Sequence, residues 1–279
     1  MQVWAGAFRN IYNPSDRKEA WYINDHTIIR GTDGWHLFGI THKEPADPLD
    51  EKLCAHAVSS DFPHGRFCRL PPAFAADPAY GEAHFWAPHV IRHDGRYHMF
   101  YCAGSLEGHD RYQIMMAESE DLYHWERFRE NPLVIDGFDA RDPMVIREGE
   151  RWLLYYTCTT APQGGNHCVA VLESEDLHHW VKLGNVFVDA MIGTYAGPCE
   201  SPFVLKKKDW FFLFLSLRGG YVGTDVFASR DPLDFSEQRL VGHIDAHAAE
   251  VIEVGDQLYI THCGWGQGGI FLAPLQIEW

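Results

Sequence analysis

Basic residues are scarce in this chain. Lys and Arg number 23 against 39 Asp and Glu, a formal net charge of −16 over 279 residues. That balance argues against a phosphate-backbone partner, because nucleic-acid binding needs a basic face, and it leaves no polybasic stretch for an anionic membrane surface. A long apolar run is missing too. Residues 210–215, Trp210-Phe-Phe-Leu-Phe-Leu, have the length of a buried strand, far short of the roughly 20 residues of a membrane span. The N-terminus, Met1-Gln-Val-Trp-Ala, has neither the basic n-region nor the apolar h-region of a signal peptide. The cysteines at 54, 68, 102, 158, 168, 199 and 263 are odd in number and form no CxxC pair, which favours neither a disulfide framework nor a zinc site. A cytoplasmic protein with reduced, largely buried thiols is the resulting expectation. No helix-period stretch of useful length, no Pro-, Gly- or Ser-rich linker and no low-complexity tract is found, so one domain over residues 1–279 is expected.

What the chain does have is aromatic, apolar and repeated. Hydrophobic residues make up 46% and aromatics 14%, enough for a sizeable core and weighted toward strands. Five segments share one layout of polar start, apolar strand, tight turn and aromatic-rich strand: 24–40, 86–101, 141–156, 200–215 and 248–263. Their turn residues, Gly34, Gly95, Gly149, Asp209 and Gly255, lie 61, 54, 60 and 46 positions apart, the size of a four-stranded propeller blade. Asp33-Gly34 and Asp94-Gly95 are short-turn signals between apolar runs. The second and third segments are followed by a shared phrase, Ser119-Glu-Asp-Leu-Tyr-His-Trp and Ser174-Glu-Asp-Leu-His-His-Trp, with degraded copies at 57–62 and 228–235. This phrase suits the third strand of a blade and the turn to its outer edge. The expected fold is all-β, a single five-bladed β-propeller. Closing it requires a strand from the other end of the chain, or an equivalent latch, to complete the last blade, and residues 269–279 are apolar enough to be a strand there.

In a propeller the innermost strands line the central channel, so residues at their starts converge on one end of the axis. Asp25, Asp142 and Glu200 open the first, third and fourth segments, each in an apolar or Pro-containing setting where a purely solvating charge is out of place. Acids also cap turns at strand starts. That reading suffices for one such residue but not for three in corresponding positions. Converging carboxylates are what glycosidic bond cleavage requires. One acid with a raised pKa protonates the leaving oxygen, a second attacks the anomeric carbon or activates water, and a third holds the geometry and raises the first by like-charge repulsion. A metal site is the rival use of three acids.

Together these residues resemble the five-bladed propeller glycosidases, glycoside hydrolase families 43 and 62 with families 32 and 68. The resemblance covers nearly the whole chain and rests on Trp-Ala-Pro at 86–88, Arg-Asp-Pro at 141–143, Glu-Ser-Pro at 200–202 and the Ser-x-Asp-Leu-x-x-Trp phrases. It implies Asp25 as general base (the inverting family-43 pattern) or nucleophile (the retaining family-32 pattern). It implies Asp142 as pKa modulator and transition-state stabiliser, Glu200 as proton donor, and Arg141 as a holder of substrate hydroxyls. Asn24-Asp25 after Trp21, the Arg-Asp-Pro triplet and Cys199 beside Glu200 are similar to the fructan-cleaving families. Trp86-Ala-Pro and the compact length are similar to family 43, and His26 stands where both patterns carry proline. His247 opens the fifth segment, where family-43 propellers place a channel histidine that coordinates a central cation, commonly Ca²⁺, through water. A hydrogen-bonded wall histidine is the competing reading, and no other cofactor is required.

Candidate sugar contacts are Asn24, His26, Trp86, Arg141, Tyr195, Arg218 and Trp265. Trp86 leads as a stacking platform, with Trp265 and Tyr195 behind it, whereas Trp152, Trp210 and Phe211 fall inside strand patterns and read as blade core. Arg218 precedes Gly219-Gly220 near the channel mouth and reads equally as a surface arginine. The expected activity is hydrolysis of furanoside- or pentoside-containing oligosaccharides of arabinose, xylose or fructose type. The partner is then an oligosaccharide, without nucleic acid or membrane. Glycosyl transfer or phosphorolysis on the same scaffold, and a non-catalytic sugar-binding propeller, are the alternatives. Phosphorolysis needs a basic phosphate pocket, for which Arg141 and Arg218 are the available candidates.

Overall fold

A computed structural model describes residues 1–279 apart from 46, 195–196, 218–222 and 236–238 and the side chains of 109 and 110. Aromatic and β-branched runs bounded by Gly, Asp and Pro turns form five antiparallel sheets, the blades of the expected propeller. The chain begins with β1 (Gln2–Ala5) and β2 (Arg9–Tyr12). Blade one is β3 (Trp21–Arg30), β4 (Trp35–Lys43) and β5 (Leu53–Ser59), edged by β6 (Cys68–Arg69) and β7 (Phe74–Ala75). Blade two is β8 (Trp86–His93), β9 (Arg96–Ser105) and β10 (Gly108–Ser119), edged by β11 (Glu126–Arg127) and β12 (Val134–Ile135). Blade three comprises β13 (Arg141–Glu148), β14 (Arg151–Ala161), β15 (Gly164–Ser174) and β16 (Val181–Gly193). Blade four comprises β17 (Glu200–Lys207), β18 (Trp210–Ser216), β19 (Thr224–Ser229) and β20 (Leu240–Ile244). Blade five has β21 (Val251–Val254), β22 (Gln257–His262) and β23 (Ile270–Glu278).

The N-terminal strands complete blade five. β1 pairs with β23, Val3 opposite Ile277, and β2 pairs with the start of β23. The two chain ends are therefore joined by backbone hydrogen bonds, and the ring is closed as expected.

The inner hairpins follow the repeat with one exception. Asp94-Gly95 is a two-residue loop with both residues left-handed, φ 46° and 83°, the conformation that Asp-Gly favours. Blades three, four and five also turn in two residues, and in blade four Lys208 (φ 56°) takes the left-handed position beside Asp209. Around Asp33-Gly34 the loop is four residues long, closed by the Gly31 N–H donating to the Gly34 carbonyl at 2.7 Å. Here the Asp33 carboxylate is committed elsewhere, to His36 at 2.8 Å and to the Tyr123 hydroxyl of blade two at 2.6 Å.

The repeated Ser-x-Asp phrase ends the third strands. The hydroxyls of Ser59, Ser119, Ser174 and Ser229 accept from the amides of Asp61, Asp121, Asp176 and Asp231. Between blades the core is largely aromatic. Phe203, Phe212, Phe214 and Phe227 of blade four pack with Leu153 and Tyr155 of blade three. Trp152 and Phe211 are buried in these interfaces as expected, and Trp210 is half-buried. All seven cysteines are free, and only Cys68 is exposed. Among the described residues no helix is long and apolar enough to cross a membrane.

Candidate active site

The innermost strands β3, β8, β13 and β17 each open with a bulge. At 23–26, 86–89, 141–144 and 200–203 the inner strand spends three steps where its neighbour spends two. Pro88, Pro143 and Pro202 lie inside three of these bulges, where the ladder is already interrupted and a missing N–H is tolerated. The residues before them, Ala87, Asp142 and Ser201, are left-handed at φ 43°, 54° and 49°, as is Ala248 at 47° before β21. For residues with a Cβ this conformation is strained, and such strain clusters at functional sites. The bulges turn strand starts toward the axis. Asp25, Pro88, Asp142, Ser201 and Glu250, one residue from each blade, line a single axial cavity of ≈ 20 Å³.

The three acids converge, but they are not equivalent by register, which corrects the expected correspondence. Asp25 is the second residue within its bulge, Asp142 is the first within its own, and Glu200 stands immediately before the third.

Ser201 ties them together. Its hydroxyl donates to Asp25 Oδ1, and its backbone N–H donates to Asp142 Oδ2 at 2.9 Å. Arg141 is buried behind this junction. Its Nη1 lies 2.9 Å from Asp142 Oδ2 and 3.5 Å from Glu200 Oε1. Its Nε donates to Asp139 Oδ1 at 2.8 Å, and its Nη2 donates to the Gly197 carbonyl at 3.2 Å. Little of this guanidinium is left for a substrate hydroxyl or a phosphate.

Burial pushes the Glu200 carboxyl up to about 7; Arg141 opposes the rise, while Asp142, Asp25 and Asp139 add to it. Its side chain keeps 30% exposure against 9% for Asp142, so the acid with a near-neutral pKa is also the more open one. Burial raises Asp25 against the Ser201 hydroxyl, and raises Asp142 against the Arg141 guanidinium. A carboxyl pushed up to about 7 beside two carboxyls tied by Ser201 has the chemistry to supply a proton near neutral pH.

The other expected contacts are spread around this centre. Asn24 Oδ1 lies 3.8 Å from Cys263 Sγ. His26 is buried in the axial cavity, and neither ring nitrogen has a hydrogen-bond partner among the described residues. Burial, with His262 and His247 nearby, pulls it down to about 3. The backbone N–H of His247 donates to His262 Nδ1 at 2.9 Å, and burial pulls the His247 ring down to about 4. Among the described residues no three His, Cys, Asp or Glu side chains are grouped to hold a metal ion directly. Trp86 is half-buried, its ring 3.7 Å from His84 and 5.1 Å from Tyr112. Trp265 packs on Tyr22 at 5.6 Å, and both line an open groove of ≈ 480 Å³ with Pro45, a size suited to a ligand. Tyr195 and Arg218 lie outside the described residues.

Four residues of this centre escape sequence reasoning. Ser201 and Asp139 act through hydrogen bonds that no motif announces. Glu250 faces His89 at 3.7 Å and sits near the start of the fifth segment, a signal the repeat does offer. Glu51, 3% exposed, falls between β4 and β5, where no repeated phrase marks it.

The family model of the glycosyl hydrolases family 32 N-terminal domain matches residues 17–261. Extracellular exo-alpha-(1->5)-L-arabinofuranosidase ArbA of Cellvibrio japonicus is 24% identical over 221 residues, 70% of this chain and 58% of that protein. A probable sucrose-6-phosphate hydrolase of Psychromonas ingrahamii is 25% identical over 187 residues, 64% of this chain and 32% of that protein. The chain thus spans less than two thirds of the length of these curated relatives. The solved structure of Bombyx mori GH32 beta-fructofuranosidase BmSUC1 superposes with a TM-score of 0.69 at 16% identity, over 96% of this chain and 62% of that one, a likeness of fold. Since the matched span runs from ahead of Asp25 into β22, the chain belongs to the family of the glycosyl hydrolases family 32 N-terminal domain.

Proposed function

We propose that this chain is a retaining glycoside hydrolase acting on furanoside-containing oligosaccharides of arabinose or fructose type. The observation that carries the reading is the Ser201 junction. One residue holds Asp25 and Asp142, while its chain neighbour Glu200 presents a carboxyl pushed up to about 7. Membership of family 32 supports Asp25 as nucleophile rather than as base, and the named activities of the curated relatives support the sugar class.

In the first step an Asp25 oxygen bonds to the anomeric carbon as the glycosidic C–O bond breaks, and the Glu200 proton passes to the leaving oxygen. In the second, water attacks the same carbon, its proton returns to Glu200, and the ester to Asp25 breaks. Asp142, held by Arg141 and the Ser201 amide, keeps a charge beside both steps and helps hold Glu200 protonated. Phosphorolysis has less support, since Arg141 is engaged by Asp139, Asp142 and Glu200.

The test is turnover of 4-nitrophenyl α-L-arabinofuranoside and of sucrose, with the first-formed anomer followed by NMR. Retention with loss of turnover in Glu200→Gln supports the reading. An inverted product removes Asp25 as nucleophile, and a wild type that binds sugars without cleaving any leaves a binding propeller.

A further inference from the structure

Glu51 is a buried acid beside the site that the proposed chemistry does not use. Its Oε1 accepts from the Tyr22 hydroxyl at 2.7 Å and from the Trp265 indole N–H at 3.0 Å. Asp25 lies close enough to act on the same carboxyl by charge. Tyr22 belongs to β3 and Trp265 lies between β22 and β23, so blades one and five meet at one side chain. A carboxyl at this depth is costly unless hydrogen-bonded. The donors supplied are aromatic, with no basic side chain among the described influences on it. An N–H or O–H on a ring fixes the ring's plane as well as satisfying the acceptor. Glu51 therefore sets the pose of the Trp265 indole and of the Tyr22 ring, which together line the open groove.

We infer that Glu51 is a positioning residue whose carboxyl holds Tyr22 and Trp265 as two walls of the sugar subsite, and that it sets substrate affinity rather than the rate of bond cleavage. The inference rests on the glycosidase reading for the word substrate, but the hold on the Trp265 indole can be measured without turnover.

Glu51→Leu and Glu51→Gln in the 279-residue chain are compared with the wild type in two ways. One is near-UV circular dichroism, whose indole bands report fixed tryptophan poses. The other is steady-state kinetics on 4-nitrophenyl α-L-arabinofuranoside and sucrose. Glu51→Leu is expected to flatten the indole bands and to raise KM about tenfold with kcat within about threefold. Glu51→Gln keeps an acceptor oxygen and recovers most of both. Trp265→Phe, which keeps a ring without the N–H, gives a smaller rise in KM and stands in if Glu51→Leu does not fold. Unchanged indole bands and KM in folded Glu51→Leu overturn the inference. So does a fall in kcat at constant KM, which would put Glu51 in the chemistry. If the wild type cleaves neither compound but the bands still collapse in Glu51→Leu, the positioning role stands and the glycosidase reading falls alone.

Discussion

The side-chain hydroxyl of Ser201 donates a hydrogen bond to Oδ1 of Asp25, a residue 176 positions away in the chain. The contact places the candidate nucleophile of blade one against the residue that follows the candidate proton donor of blade four. It also makes the spacing of these two candidate catalytic groups depend on one small side chain.

Ser201→Ala removes that hydroxyl and keeps the amide bond to Asp142. With one donor gone, the buried Asp25 carboxylate is harder to form. The expected result is a fall in kcat of roughly tenfold or more, of the order of one hydrogen bond to a charged group. The acid limb of the kcat/KM profile should move to higher pH, because the hydroxyl is what lowers Asp25 against burial. A pH–rate series on 4-nitrophenyl α-L-arabinofuranoside reads both effects.

In the proposed mechanism Glu200 acts in its protonated form, and it is pushed up to about 7, so activity should decline as pH rises through neutrality. In Glu200→Gln that basic limb disappears. For a poor leaving group such as an unactivated sugar, kcat/KM should fall by on the order of 10²–10⁴, the usual worth of a positioned acid. A 2,4-dinitrophenyl glycoside, which leaves without protonation, should lose far less. Equal losses on both substrates would remove the proton-donor role.

The same group makes a stability prediction of definite sign. Its carboxyl titrates near 4.5 in the unfolded chain and near 7 in the fold. Stability from this source is therefore complete below about 4.5 and is lost as pH rises through 7. Relative to the wild type, Glu200→Gln should be more stable at pH 8 than at pH 5. Urea midpoints at the two pH values provide the comparison, and a constant difference between them would show that burial does not act on Glu200 as argued.

Ring closure is testable at β1. Val3 is 2% exposed and packs in the blade-four and blade-five core while pairing with Ile277. Val3→Asp places an unpartnered charge there and should cost about 3 kcal/mol or more. Urea denaturation reads the loss, and Val3→Ile, which keeps the apolar contact, should be close to neutral.

Legibility in the sequence followed the range of the interactions. The hairpins could be read because two-residue turns and apolar alternation are local, and the Ser-x-Asp turns because serine and aspartate bond to amides within three positions. Asp25, Asp142 and Glu200 could be read because repeated segments share a start. Their register offsets could not, since each bulge depends on the neighbouring strand. Asp33-Gly34 carried the same signal as Asp94-Gly95 and turned differently because its carboxylate was claimed by Tyr123 from another blade.

By itself, then, the sequence determined the number of blades, the strands within them and which acids stand at strand starts, all matters of local chemistry repeated along the chain. The tertiary structure alone decided that Ser201 would hold Asp25, that Arg141 would be enclosed by Asp139, Asp142 and Glu200, and that Glu51 would gather aromatic groups from two blades. Those contacts join distant positions brought to one axis by the closing of the ring. Burial there, rather than residue type, moved a glutamate into the range of a neutral-pH acid.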